Sequence, residues 1–290
     1  MSGARSVAPP PAPTVLRMVL GNRLAALRQA AGASYEQAAA EIGASALTVR
    51  RLENGDVGLK PAYVKLLLAA YGVPPDETAE FLHLVTEARK PGWWHRYRDA
   101  LPSWFSAFVS LENSAEEIRI YEPQFVSGLL QVDAYARAVL NVSVPPASPD
   151  EVERRLALRM ARQELLHRPS APTVRTIMDE AVFRRPAAGP EIMLAQIDHL
   201  LEVATSDRIA LQYLPFAAGP HAAPGPIHFF RFAQPELPDI AYAESLTSAV
   251  YLDEDEDVVA HLQVLDRLSE MAESEAQTRV FLEAIRKEYR

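Results

Sequence analysis

The sequence predicts a mainly α protein with an α+β second domain: five short helices over residues 14–90, then a larger α+β domain over 104–290. Three observations predict it. Leucine, alanine and valine recur at helical spacing from residue 16 to residue 89, in short runs divided by glycine and proline. Pro91-Gly92 ends that pattern, and the stretch WWHRYRDALPSWFSAF follows with all three tryptophans of the chain inside twelve residues. Past it, strand-like and helix-like runs are mixed. Residues 1–13 (MSGARSVAPPPAP) are expected to be a disordered tail and 91–103 an aromatic-rich junction.

Each helix has its own signals. Leu16, Leu20, Leu24, Leu27 and Ala31 form one stripe, and Gly32 stands where the helix would stop. A second helix over Tyr35–Ile42 buries Ala38, Ala39 and Ile42. Gly43 supplies a permissive backbone for a tight turn, and Ser45 can cap a third helix running from Ala46 to about Asn54. Lys60-Pro61 opens a fourth helix, with proline at a tolerated early position; Val64, Leu67, Leu68 and Tyr71 are its buried side and Gly72 its end. After VPPD a fifth helix, Glu77 to Arg89, carries Phe81, Leu82 and Val85. Further on, strands are predicted at 116–122, over TVRTIMDE, and at 208–214, 226–232 and 239–243. Helices are predicted at 132–141, 151–167, 190–205, 255–272 and 274–288.

Composition narrows the function. The 290 residues are 49% hydrophobic and 23% charged, enough to build two cores. With no cysteine, disulfides, thiolate catalysis, zinc ribbons and iron–sulfur clusters are excluded. The N-terminal residues lack the apolar core of a signal peptide, so a cytoplasmic location is expected. The 22 residues Ile209–Phe230 carry no Asp, Glu, Lys or Arg, but four prolines and two glycines among them rule out a spanning helix. No membrane partner is expected. Net charge is −9, yet residues 1–60 hold seven basic and four acidic side chains, net +3, leaving net −12 for the rest. The field at the N-terminal end can therefore oppose the global one.

The third helix concentrates that positive charge. At about 100° per residue, Val49 and Leu52 point one way, into the first two helices, while Leu47, Arg50, Arg51 and Asn54 share the opposite sector. Two helices joined by a glycine turn, the second with outward arginines, match the arrangement that places a recognition helix in the DNA major groove. Arginine suits base reading because its planar fork bonds O6 and N7 of guanine together, and Leu47 could meet a thymine methyl. A helical hairpin with a solvated face would also display two arginines. The caps, turn glycine, Val/Leu spacing and local positive charge together favour DNA.

Residues 14–90 resemble the five-helix, lambda-repressor-like domain of regulators of the phage-repressor and xenobiotic-response-element class, with LENG at 52–55 matching the end of that recognition helix. The resemblance implies base contacts at Ser45, Ala46, Leu47 and Arg51, to which the helix geometry adds Arg50. It implies backbone contacts at Tyr35 and Asn54 and a salt bridge between Arg28 and Glu53 beside the phosphates; Arg28, Thr48 and Lys60 complete the expected phosphate contacts. Ala46 and Leu47 stand where phage repressors often carry glutamine, so no target sequence transfers. A homodimer is implied, since one such helix covers few base pairs.

From residue 93 the chain is similar to the C-terminal domain of antitoxin-like (WhiJ-like) actinobacterial regulators. The stretches GWWHRYRDALPSWF, IRIYEPQFVSGLLQVDAYARAVL, RLALRMARQELLHRP, MDEAVFRRP and LQYLPFAAGPH carry the likeness. It implies control by a small partner protein. Trp93, Trp94, Tyr97, Trp104, Phe105 and Phe108 are read as one aromatic cluster, packing between domains or across a dimer, or else caging a ligand. The loop 215–226, beside strands ending in Tyr213 and Phe229, is read as a pocket lid or a long hairpin connection.

Enzymatic and metal chemistry find little. The seven histidines form no i, i+4 pair, and Asp253, Asp255 and Asp257 open like a calcium loop but Val258 and Val264 stand where Gly and Glu are needed. Neither GxSxG nor GxxxxGK[ST] occurs, so no enzyme, metal or cofactor is expected. The expected function is a dimeric, sequence-specific DNA-binding transcriptional regulator whose C-terminal domain dimerises and receives a partner protein or small-molecule effector. The alternative is an antitoxin-type module that sequesters a small partner, with DNA binding secondary.

Overall fold

The structure is a computed structural model and describes residues 13–97, 99, 105–142, 144, 146–187, 189–235, 237–245 and 248–290. Residues 1–12 of the expected tail at 1–13, Arg98 and 100–103 of the expected junction at 91–103, and Trp104 lie outside the described residues. The chain divides into two compact units. One comprises residues up to His95 with Val109–Ser114 and Ala233–Leu237; the other comprises Arg96–Phe108, Ala115–Phe232 and Pro238–Arg290.

The first unit holds five helices: α1 (Pro13–Ala30), α2 (Tyr35–Glu41), α3 (Ala46–Glu53), α4 (Pro61–Ala70) and α5 (Pro75–Ala88). Their apolar stripes converge on one core that includes Leu16, Leu20, Leu24, Val49, Leu52 and Phe81. Removing a side chain of this kind from water stabilises the fold by about 1.5–3 kcal/mol. Local chemistry sets the boundaries. Ser34 and Gln37 form a reciprocal capping box at α2, and the Thr48 N–H donates to Ser45 Oγ at 3.2 Å at the start of α3. Gly43, at φ +62°, makes the turn between α2 and α3, a conformation other residues rarely adopt.

The second unit carries six strands: β1 (Glu117–Glu122), β2 (Thr173–Asp179), β3 (Ile209–Leu214), β4 (Ile227–Arg231), β5 (Ile240–Glu244) and β6 (Ala249–Leu252). They form one sheet in the order β3-β2-β1-β4-β5-β6. Strands β1, β2 and β3 are parallel, while β4, β5 and β6 pair antiparallel. The α+β expectation is thus refined: half of this domain is α/β, because parallel neighbours need helical crossovers. Those crossovers are α7 (Asp133–Leu140) and α8 (Pro149–Gln163) between β1 and β2, then α9 (Ala181–Arg184) and α10 (Pro190–Val203) between β2 and β3. Helix α6 (Phe105–Ser114) precedes the sheet, and α11 (Asp255–Met271) and α12 (Glu275–Glu288) close the chain. Sequence analysis missed α6, α9 and β6: α6 was hidden in an aromatic run, and α9 and β6 have only four residues each, those of β6 aligned with Ala241–Glu244 of β5.

Helix α11 lies on one face of the sheet, its Val258, Leu265 and Leu268 packing with Tyr121, Ile177, Leu214 and Phe229. On the opposite face Phe108 meets His228, Phe230 and Tyr242 with ring centroids 4.7–5.5 Å apart. Two expectations fail here. The segment 215–226 is no hairpin connection, since β3 and β4 are separated by β2 and β1. It crosses the carboxyl ends of the parallel strands and is pinned there, with Ala218 and Ala223 on the α11-side core and His221 Nε2 3.0 Å from the Tyr121 hydroxyl. Nor can Tyr213 and Phe229 line one pocket. Side chains alternate between faces, so Phe229 joins the α11 side while Tyr213 stacks on Phe281 of α12 on the other, at 3.8 Å.

Candidate nucleic-acid interface

Helix α3 is anchored from below. Val49 and Leu52 are buried, and Glu53, at the end of the helix, turns inward to accept hydrogen bonds from Arg28 Nε (2.8 Å) and Nη2 (2.9 Å). A bidentate pair of this kind is directional as well as strong. Arg28 also donates to the Ala33 carbonyl at 3.1 Å, tying the end of α1 to the start of α2. The hydrogen bond to Glu53 raises the Arg28 pKa, so the guanidinium is permanently charged. Burial, with the Glu53 carboxylate next, pushes the neighbouring Tyr71 hydroxyl up to about 12.

Above that anchor the outer face is open. Ser45, Leu47, Arg50, Arg51 and Asn54 are exposed, with Ala46 and Thr48 half-buried. Leu47 is 61% exposed, a large apolar side chain left in water at the start of a short helix. Thr48 is engaged in the cap, its hydroxyl 2.9 Å from that of Ser45. The Tyr35 ring lies between two guanidiniums, Arg28 at 3.9 Å and Arg50 at 4.9 Å from its centroid. Arg50 therefore leans toward the start of α2, whereas Arg51 has no ring or ion-pair partner among the described residues. Lys60 is exposed and sits 4.9 Å over the Tyr63 ring.

Two residues that sequence analysis overlooked position this helix. Arg17 Nε donates to the Gly55 carbonyl at 2.7 Å and clamps the turn after α3. Gly21, one helical turn on, has no side chain because a Cβ would collide with the Glu53 carbonyl. The available signal was spacing: each follows a stripe leucine, Leu16 or Leu20, by one residue, on the edge of α1 that meets the end of α3.

The expected aromatic cluster is divided. Trp93 and Trp94 pack edge-on at 5.8 Å, Trp94 is buried, and Trp93 Nε1 donates to Asn113 Oδ1 at 3.2 Å, all within the first unit. Arg96 lies over Tyr97 at 4.9 Å. Phe105 and Phe108 belong to the second unit, stacked at 5.1 Å with the buried Arg162 guanidinium 5.2 and 5.1 Å from their rings. Asp255 and Asp257 stand in the first turn of α11, where the helix dipole favours negative charge.

The helix pair and its outward face define the class: residues 19–81 match the family described as a helix-turn-helix domain. Residues 105–284 match the family described as a domain of unknown function, DUF5753, and the chain belongs to that family. Neither the curated proteins nor the solved structures include a match. Among the described residues no helix is long and apolar enough to cross a membrane.

Proposed function

We propose that the protein is a cytoplasmic, homodimeric transcriptional regulator of the xenobiotic-response-element class that binds a specific duplex DNA sequence through α3. The observation that carries this reading is the two-sided nature of that helix. One side is locked by Val49, Leu52 and the Arg28–Glu53 pair, and the other presents Ser45, Leu47 and Arg51 to solvent. Ser45, Ala46, Leu47 and Arg51 meet base edges. Arg50, expected at the bases, is held against Tyr35 and serves with Tyr35, Thr48, Asn54 and Lys60 at the phosphates, while Arg28, expected among the phosphate contacts, is buried on Glu53 and leaves that set. Acidic residues elsewhere weaken docking without preventing it, because exposed charges are screened beyond roughly 8–10 Å at physiological salt.

The second domain dimerises and takes a signal from a partner protein or small molecule. Such a signal acts only by favouring one arrangement of the two recognition helices over another. Genome-wide recovery of bound fragments tests the core reading. A palindromic motif with half-sites about one helical turn apart is the expected result. Recovery of no enriched motif, with no duplex bound even at low ionic strength, removes it.

A further inference from the structure

The outward face of α3 offers fewer readers than its length implies. Ser45 and Thr48 spend their hydroxyls on the helix start: the two oxygens are 2.9 Å apart, and Ser45 Oγ also accepts from the Thr48 N–H at 3.2 Å. Ala46 is half-buried, one turn before the buried Val49 and on the same stripe. Arg50 lies over the Tyr35 ring at 4.9 Å, and Glu53 is turned inward onto Arg28. Asn54 caps the far end of the helix, away from the N-terminal turn that leads into a groove. Two side chains remain. Leu47 is 61% exposed, and Arg51 is exposed with no hydrogen-bond, ring or ion-pair partner among the described residues.

These two are neighbours on one face. Four positions apart, they stand about 40° from one another around the helix axis and about 6 Å apart along it. A long side chain on a helix leans back toward the N-terminus, so the Arg51 guanidinium is carried toward the turn that holds Leu47. The buried Val49 and Leu52 fix which way the pair faces. What it presents is an apolar surface beside a planar fork of donors, with no acceptor at all, since a guanidinium only donates. In the major groove the amino groups of adenine and cytosine are donors and find no partner on such a surface. The thymine methyl matches the leucine, and the O6 and N7 acceptors of guanine match the fork.

From this pairing we infer that each DNA half-site is selected by two side chains alone, Leu47 on the methyl group of a thymine and Arg51 on a guanine, with the two bases about two base-pair steps apart. The inference deepens the DNA-binding reading given above and rests on it. The spacing follows from the helix: about 6 Å between the two positions compares with about 3.4 Å per base pair, when α3 lies along the groove. Ser45 and Ala46 come against base edges in the same groove without choosing among them, because the hydroxyl of one serves the cap and the methyl of the other is half covered. Arg50 and Asn54, at the sides and end of the helix, hold the register on the phosphates and carry no sequence information.

The test uses the full chain and a duplex carrying the motif recovered genome-wide, with one base changed at a time in one half-site. Deoxyuridine in place of thymine removes the methyl group and leaves the base pair intact; 7-deazaguanine in place of guanine removes the N7 acceptor. One uracil position is expected to weaken binding about fourfold, the worth of one buried methyl-sized group. One 7-deazaguanine position, about two steps away, is expected to weaken it about fivefold or more. Leu47→Ala should cancel the uracil loss and keep the 7-deazaguanine loss, and Arg51→Ala should do the reverse. Both side chains are exposed, so unchanged urea midpoints are expected for both variants. A bound motif indifferent to every uracil or to every 7-deazaguanine, or a loss that persists in its matching variant, overturns the assignment and leaves DNA binding standing. Failure to bind any duplex at low ionic strength removes the DNA-binding reading itself, and this inference with it.

Discussion

The two units bury charge in opposite ways. In the helical unit, Arg28 and Glu53 are both nearly inaccessible and satisfy each other through two hydrogen bonds. In the sheet unit, Glu122 Oε1 and His228 Nε2 stand 3.9 Å apart without a hydrogen bond, and Arg159 donates to Gln131 Oε1 rather than to a carboxylate. A closed pair fixes geometry: it costs desolvation on both sides and in return permits only one placement of the end of α3. An open set carries the desolvation penalty without that return, and burial shifts its groups toward their neutral forms, Glu122 up to about 8 and His228 down to about 3. The helical unit thus keeps its buried charges by pairing them, whereas the sheet unit neutralises them.

Breaking the closed pair has the largest expected effect. Arg28→Ala leaves Glu53 buried and uncompensated and should destabilise the protein by about 3–5 kcal/mol. The same applies to Glu53→Ala, while replacing both residues together with apolar side chains of similar size should recover most of the loss. Urea denaturation of the single and double variants decides this; a single variant within about 1 kcal/mol of wild type would mean that water enters and the pair is not closed. A smaller effect is expected at Arg51, which is exposed and has no ring or ion-pair partner among the described residues. Arg51→Ala should leave the denaturation midpoint unchanged and cost about 1–3 kcal/mol of binding to the recovered motif, with less loss on unrelated duplexes. Equal loss on every duplex would move Arg51 from the bases to the phosphates.

The same contrast governs what was legible in the sequence. The helix that carries the closed site was legible because local rules wrote it, through the stripe leucines, Gly43 and Ser45, whereas the Arg28–Glu53 pair, 25 positions apart, was expected only from the resemblance. Its supports were harder to see, since Gly21 and Arg17 act through the end of α3, more than thirty positions away. The open site was not found at all. Glu122 read as the polar end of a strand and His228 as one of seven scattered histidines, because their meeting depends on β4 returning beside β1 after more than one hundred residues. One trace was present: Arg159 stands on the Val152–Leu156 stripe of α8, where the helical period calls for an apolar residue. Tyr213 and Phe229 show the opposite failure. They looked adjacent by loop length, but the strand order and the alternation of side chains put them on different faces.

The smallest effect is expected at the open site, and it lies in pH dependence rather than overall stability. Glu122, ordinarily near 4.5, is held up to about 8, so between those values the folded protein keeps a proton that the unfolded chain has released. Stability from this group is therefore lost as pH rises through that window and is level above it. His228 has the reverse slope: held down to about 3 from an ordinary 6.5, it makes stability rise with pH between those values, where only the unfolded chain is protonated. The two slopes oppose one another from 4.5 to 6.5, which leaves a net decline from 6.5 to 8. Glu122→Gln, which keeps the shape and cannot ionise, should abolish that decline and uncover the full histidine rise below pH 6.5. Urea midpoints measured at pH 5, 6.5 and 8 read both slopes. A variant that declines above 6.5 as steeply as wild type would place the titrating group elsewhere, and the contrast between a closed and an open charge site would lose its second half.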